Sequence, residues 1–364
     1  MPLRPILAPL GFVTLLLSAA AYDPRAALPQ QSPGVAPTLA FVPARPDGAT
    51  AKVVAAAEAL LAAVSSEQRA QLVFPADDEL QRVRWSNLPT GIFQRTGLRM
   101  GDLTEAQRGA VHTLLRALLS EDGYRQVVEN IAAEQTLVRP GQTGGVSFGA
   151  DEFYVSFVGA PSLTAAFGIQ FGGHHLAVNA TVVGERIVLT PSLTGGQPMN
   201  FEVQGRPIAQ MAAELRDAYA LAASLDEAQR AVAVRATKPI DLTWGPGREA
   251  ADDGARQRTP EGIRASALSE AQRALLVKVI AARVNLLNEE DAAVELARLE
   301  ARLDETTFAW FGPTERGGVA SYRVQGPEVF IEYAPQGTTT AANEHVHAIY
   351  RDSRNDYGRA LARQ

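Results

Sequence analysis

One helix-start signal recurs four times in this chain: SSEQR at Ser65, LTEAQR at Leu103, LDEAQR at Leu225 and LSEAQR at Leu268. Each places a Ser, Thr or Asp three residues ahead of a Gln. The short side chain accepts an orphan backbone N–H of the first turn, and the later one reaches back to the cap, forming a capping box. Helical blocks are therefore expected over about 51–74, 103–135, 207–236 and 269–305. The last has a second start at Asn288, where Glu289, Glu290 and Asp291 suit the positive end of a helix. Four uses of one cap fit an internal repeat, and they equally fit the ordinary use of a good cap.

Between the helical blocks lie two β-rich regions, 146–191 and 307–350, in which apolar and polar residues alternate between Gly- and Pro-containing turns. Gly184-Glu185 reads as a hairpin turn. Helical blocks that alternate with antiparallel-looking strands give an α+β fold, not a doubly wound βαβ sheet. LTEAQR precedes GGHHL by about the same distance as LSEAQR precedes NEHVH. That spacing would suit two pseudo-related halves, 51–200 and 201–364, within one large domain over 51–364. Their β regions would then share one sheet or face each other, bringing the histidine pairs together.

The N-terminal stretch MPLRPILAPLGFVTLLLSAAAYD sets Arg4 ahead of a short apolar run that ends in small residues. It reads as an export signal over 1–21, followed by a flexible Pro-, Gly- and Ala-rich leader over 22–50. Secreted or periplasmic placement is the expectation, with no membrane span after signal cleavage. The net charge of −6 is dispersed rather than blocked into a basic stripe, which argues against a nucleic-acid partner and leaves a small molecule as the expected substrate or ligand. Oligomeric state leaves no trace in the sequence.

There is no cysteine, so any metal must be held by histidine and carboxylate. Four of the five histidines fall in the β regions, as His174 with His175 and His345 with His347. Positions i and i+2 of a strand share a face, so His345 and His347 present two imidazoles to one point. Adjacent His174 and His175 would point to opposite faces of a regular strand, unless a bulge at Gly172-Gly173 re-aims them. Glu332 and Asp352 are candidate additional ligands or general bases, and Arg351 a candidate anchor for an anionic substrate group. The donor set suits zinc, copper or iron. His112, on a helix, is expected to pack or to face solvent. Trp85 and Trp310 are expected to serve the core or to line an apolar pocket.

The succession RWSNLP, LTEAQRGAVHTLLRALLSEDGY, FYVSFVGAPS, GGHHLAVNATVVGERIVLTPSLTGGQP, FAWFG, YRVQGPEVFIEY, HVHAIYRD and DYG resembles the bacterial family called domain of unknown function 3500, from about Val53 to the C-terminus. The resemblance implies no activity. It does imply that GGHHL and HVHAIYRD are the family's signatures. Two functions stand at this level: an exported metal-dependent hydrolase or oxidoreductase, or an extracytoplasmic binding or interaction module whose histidines are structural.

Overall fold

A computed structural model describes residues 42–139, 145–246, 259–338 and 340–361. The expected export signal and most of the leader lie outside the described residues, as does most of the loop after Gly245. The four capping boxes all form. In each, the Ser, Thr or Asp accepts the N–H of the Gln three residues on, and that Gln side chain accepts the cap's own N–H.

The first half runs α1 (Ala49–Ala63), α2 (Ser66–Leu72), β1 (Val73–Phe74), α3 (Glu79–Arg82), β2 (Leu98–Arg99), α4 (Glu105–Leu118), α5 (Glu121–Thr136), β3 (Tyr154–Val158), β4 (Phe167–Gly173), β5 (Leu176–Val183), β6 (Arg186–Val188) and β7 (Ser192–Gly196). A hairpin of β8 (Asn200–Val203) and β9 (Arg206–Ala209) follows. The second half runs α6 (Ala212–Ser224), α7 (Glu227–Ala233), β10 (Val234–Ala236), β11 (Ile263–Arg264), α8 (Glu270–Val284), α9 (Glu289–Glu300), β12 (Thr307–Phe311), β13 (Ser321–Gln325), β14 (Phe330–Pro335) and β15 (Val346–Arg351). Each expected helical block is thus broken into two helices, because the second cap of each pair restarts the chain after a short non-helical link. The fold is α+β.

Both β regions belong to one sheet, ordered β1-β3-β4-β5-β7-β15-β14-β13-β12-β10. Its two wings match. β1 runs parallel to β3 as β10 does to β12, and β2 pairs antiparallel with β3 as β11 does with β12. The capping glutamines repeat the match: Gln107 donates to Gln68 at 2.9 Å and to the Ala63 carbonyl, while Gln272 donates to Gln229 at 2.8 Å and to the Ser224 carbonyl. The wings join where β7 lies antiparallel to β15 with Ser192 opposite Tyr350. On the helical side they join where the Ser120 N–H reaches the Leu286 carbonyl and the Asn288 N–H reaches that of Leu118.

One sheet face packs on the helices. Leu176 on β5, Ala348 on β15, Tyr333 on β14, Tyr322 on β13 and Trp310 on β12 lie on that face and belong to the main core with Leu60, Leu114 and Val279. The opposite face carries Ala177, Leu193, Ile349 and Phe330, closed by Val83, Trp85, Trp244 and Tyr357. At about 25 cal/mol per Å² of apolar surface, either layer alone stabilises the sheet by many kcal/mol. Trp310 is core, and Trp85 donates its indole N–H to the Tyr357 hydroxyl at 2.8 Å. His112 is half-buried on α4 against the Tyr124 hydroxyl.

Candidate metal centre

The stretch that joins β4 to β5 is a two-residue turn, since Gly173 pairs with Leu176. His174 and His175 are the whole of it. They are not strand residues, so alternation does not send them to opposite faces, and no bulge is needed. His175 takes a φ of 59°, a left-handed conformation that costs a residue bearing a side chain about 1–3 kcal/mol. Its surroundings hold it there. The His175 N–H reaches the Asn87 carbonyl, and its own carbonyl accepts from the Gly195 N–H at 2.6 Å and from Asn130 Nδ2 at 3.3 Å. Gly173 is small because Phe153 lies against it: a Cβ there would meet the ring at 2.7 Å.

The result stacks the two imidazoles, with ring centroids 3.5 Å apart. Both turn Nδ1 toward one carboxylate. Glu134 lies 2.9 Å from His174 Nδ1 and 3.1 Å from His175 Nδ1. Glu134 comes from α5, whose start is fixed by the Ser120 cap, and it shares a face with Gln126 and Asn130. These are buried polar residues where the helix's apolar stripe would continue from Val127.

On the other side, His347 on β15 sits opposite Gly195 on β7, and Gly195 is also the neighbour of His175 across β5 and β7. Two strands that flank a third are separated by about 9.6 Å, twice the strand spacing. The rings of His175 and His347 are nevertheless only 5.2 Å apart, because glycine between them leaves the space open. His345, just ahead of β15, completes the group: its Nε2 is 3.0 Å from His175 Nε2, and its ring is 5.0 Å from that of His347. Asn87 Nδ2 lies 3.3 Å from His347 Nε2.

Within this cluster His175, His345 and His347 each offer a nitrogen within 4.8 Å of the others, and so do Glu134, His174 and His175 with their nitrogens and an oxygen. Either group can hold a metal ion. Zinc–imidazole bonds of about 2.05 Å place two tetrahedral ligand nitrogens about 3.3 Å apart; His175 Nε2 and His345 Nε2 are 3.0 Å apart, and a His347 nitrogen lies within 4.8 Å of both. Burial favours neutral imidazoles, the form that binds metal. It drives His175 and His347 well below the ordinary histidine range, and His345 down to about 4 with help from His174. Burial also raises Glu134, opposed by His174 and Arg95.

The structure brings together the four histidines named from the sequence, and places the other three candidates elsewhere. Glu332 accepts from Thr243 N at 2.7 Å, Thr243 Oγ1 at 2.8 Å and Arg323 Nε at 2.9 Å, which occupies its lone pairs. Arg351 is buried, donates to Asp356 at 2.8 Å and stacks 4.0 Å over the Trp244 ring. Asp352 lies five residues beyond His347, about 16 Å along the strand direction. There it accepts from Arg298 at 2.7 Å and from the Arg354 N–H at 2.9 Å, while burial pushes its carboxyl up to about 7 against the pull of Arg298.

Residues 47–359 match the family described as protein of unknown function DUF3500. The chain belongs to this family. No curated protein and no solved structure matches it. In this DUF3500 protein GGHHL holds the turn, and HVHAIYRD the strand with the residue just ahead of it, that supply the four clustered histidines. Sequence reasoning missed Glu134, Asn130 and Asn87. For the first two a signal existed: polar residues at the i+3 and i+7 positions from Val127, on the buried stripe of an amphipathic helix. Asn87 sits in an irregular segment where no periodicity marks it.

Proposed function

We propose that this protein is an exported metal-dependent enzyme with His175, His345 and His347 as ligands and a small molecule as substrate. The convergence of these three imidazoles from two distant segments supports the reading. Glu134 is the group that orients His175. By accepting Nδ1–H from His175 it leaves Nε2 as the lone-pair donor, the carboxylate–histidine–metal arrangement that also raises ligand basicity. His174 rests on the same carboxylate at the rim. The absence of thiolate and the three-nitrogen set suit zinc, copper or iron. A metal with an open position would polarise a substrate oxygen or lower the pKa of water, and hydrolysis is the chemistry for zinc as oxidation is for copper and iron. Export rests on the N-terminal apolar run that ends in small residues.

The test is a panel of chromogenic esters, phosphoesters and phenolic substrates, run on purified, chelated and metal-reloaded protein. Activity that vanishes on chelation and returns with one metal supports the reading. One observation favours a second reading, a binding module with structural histidines. Every histidine of the cluster already has a polar partner: Glu134 for His174 and His175, His345 for His175, and Asn87 for His347. On that reading, replacement of His345 and His347 costs stability and changes no metal content.

A further inference from the structure

Beside the histidine turn, on the sheet face that carries His347, is a second polar feature outside the cluster. A cavity of about 30 Å³ lies between β4–β5 and the segment that follows α3. That is room for about two waters or one small oxyanion group. It shares walls with the centre: Gly172 and Leu176 flank the histidine turn, and Trp85 and Ser86 lead directly to Asn87 on the His347 ring.

The lining holds two arginines, Arg84 and Arg95, and no acidic residue. Arg95 gives one nitrogen, Nη2, to three backbone carbonyls, those of Ser86, Leu88 and Gly173, at 2.6–2.8 Å. Its other terminal nitrogen, Nη1, is buried without a hydrogen-bond partner; Arg84 gives Nη2 to the Gln94 carbonyl at 3.0 Å and has its Nε buried and unpartnered. Neither guanidinium forms an ion pair among the described residues. A largely buried cation is costly to leave uncompensated, and the usual remedy is a carboxylate within reach. Here Glu134 and Glu152 act on Arg95 only from longer range. The protein holds the guanidinium in place with carbonyls, which fix position and supply no countercharge. The remaining polar lining is neutral and largely engaged with itself: Gln81 donates to Gln170 at 2.9 Å, and Gln170 donates to the Arg82 carbonyl at 3.0 Å.

We propose that this cavity is an oxyanion-recognition site, in which Arg84 and Arg95 receive the carboxylate or phosphate of an acidic small molecule. The planar guanidinium fork matches either group. If the adjacent histidines hold a metal, as proposed above, the cavity anchors the acidic end of a substrate and so sets its class. It takes the anchoring role that the sequence assigned to Arg351, whose guanidinium is engaged with Asp356 and Trp244.

The experiment is calorimetric titration of the full-length protein with acetate and with inorganic phosphate at constant ionic strength, chloride serving as the control. It is run after chelation, so that no bound metal contributes. Saturable binding of one oxyanion and not of chloride is expected, and the tighter of the two names the group. Arg84 is the residue to change, because Arg95 also ties three backbone segments together. Arg84→Gln should weaken binding at least tenfold with metal content unchanged; Arg84→Lys, which keeps the charge and loses the fork, should fall between. Failure of both anions to bind wild-type protein, or equal binding by Arg84→Gln with a native circular dichroism spectrum, overturns the proposal. Anion binding by a protein that takes up no metal would retain this site and remove the metal centre. Metal binding without anion binding would do the reverse.

Discussion

His175 Nε2 lies 3.0 Å from His345 Nε2, although 170 residues separate them in the chain. The contact exists because the two wings meet at β7 and β15, which puts the tip of one β-hairpin beside the start of the other wing's last strand. Glu134 on the far nitrogen of His175 decides which nitrogen is left to face His345.

Glu134 is accordingly the residue whose loss should affect the centre without unfolding it. Glu134→Gln keeps the shape and gives up the charge that both Nδ1 groups share. Metal affinity should fall about 10- to 100-fold, the usual effect of removing a carboxylate behind a histidine ligand. Competition against a chromophoric chelator measures it.

Gly195 should tolerate no side chain. A Cβ there would meet the Val346 carbonyl oxygen at 2.7 Å, His347 Cδ2 at 2.9 Å and His175 Cδ2 at 3.3 Å. The first of these is backbone and cannot rotate away. Gly195→Ala should cost about 1–3 kcal/mol by overpacking and part the two rings. Urea unfolding with a metal titration reads both effects.

The metal-free protein should be acid-labile. His345 is held at about 4 in the fold, and His175 and His347 are lowered as well, all by burial. Their depressed folded values mean that the unfolded chain binds protons first. The stability is fully present above the unfolded value of about 6.5 and is lost as pH falls toward 4. Urea midpoints at pH 7, 5.5 and 4.5 should fall more steeply for wild type than for His345→Gln. Parallel pH profiles would contradict this assignment.

Asp352 should matter for stability alone. It pairs with the Arg298 guanidinium and accepts the Arg354 backbone N–H, at the opposite end of β15 from His347. Asp352→Asn removes a carboxylate whose charge the buried site already disfavours, and Arg298 keeps Glu295 and Glu328 as partners, so the cost should stay near or below about 1 kcal/mol. Metal content should be unchanged, as elemental analysis would show.

Much of this architecture could be read from local chemistry. The four capping boxes marked helix starts because a cap is a short-range interaction, complete within four residues. Strand alternation predicts His345 and His347 on one face, but only His347 lies in β15; His345 is the residue just ahead of it and reaches His175 from there. What the sequence hid was contact at a distance. The apolar pattern on either side of His174 and His175 predicts strand there, and only the pairing of Gly173 with Leu176 shows that they form the turn. By residue type Glu332 and Asp352 suit a ligand or general base and Arg351 an anion anchor, and each has a partner supplied by tertiary packing: Arg323, Arg298 and Asp356. Glu134 went unread because a glutamate on a helix is usually solvated, and its burial depends on a hairpin 40 residues later.

The most direct measurement is the metal content of the purified protein beside that of the double variant His345→Ala/His347→Ala, after both have been exposed to zinc, copper and iron and freed of excess. One tightly bound transition metal per wild-type chain, and none in the variant, is the result expected of a three-histidine centre. A wild-type protein that carries no metal after loading, or a variant that retains the full amount, would contradict it.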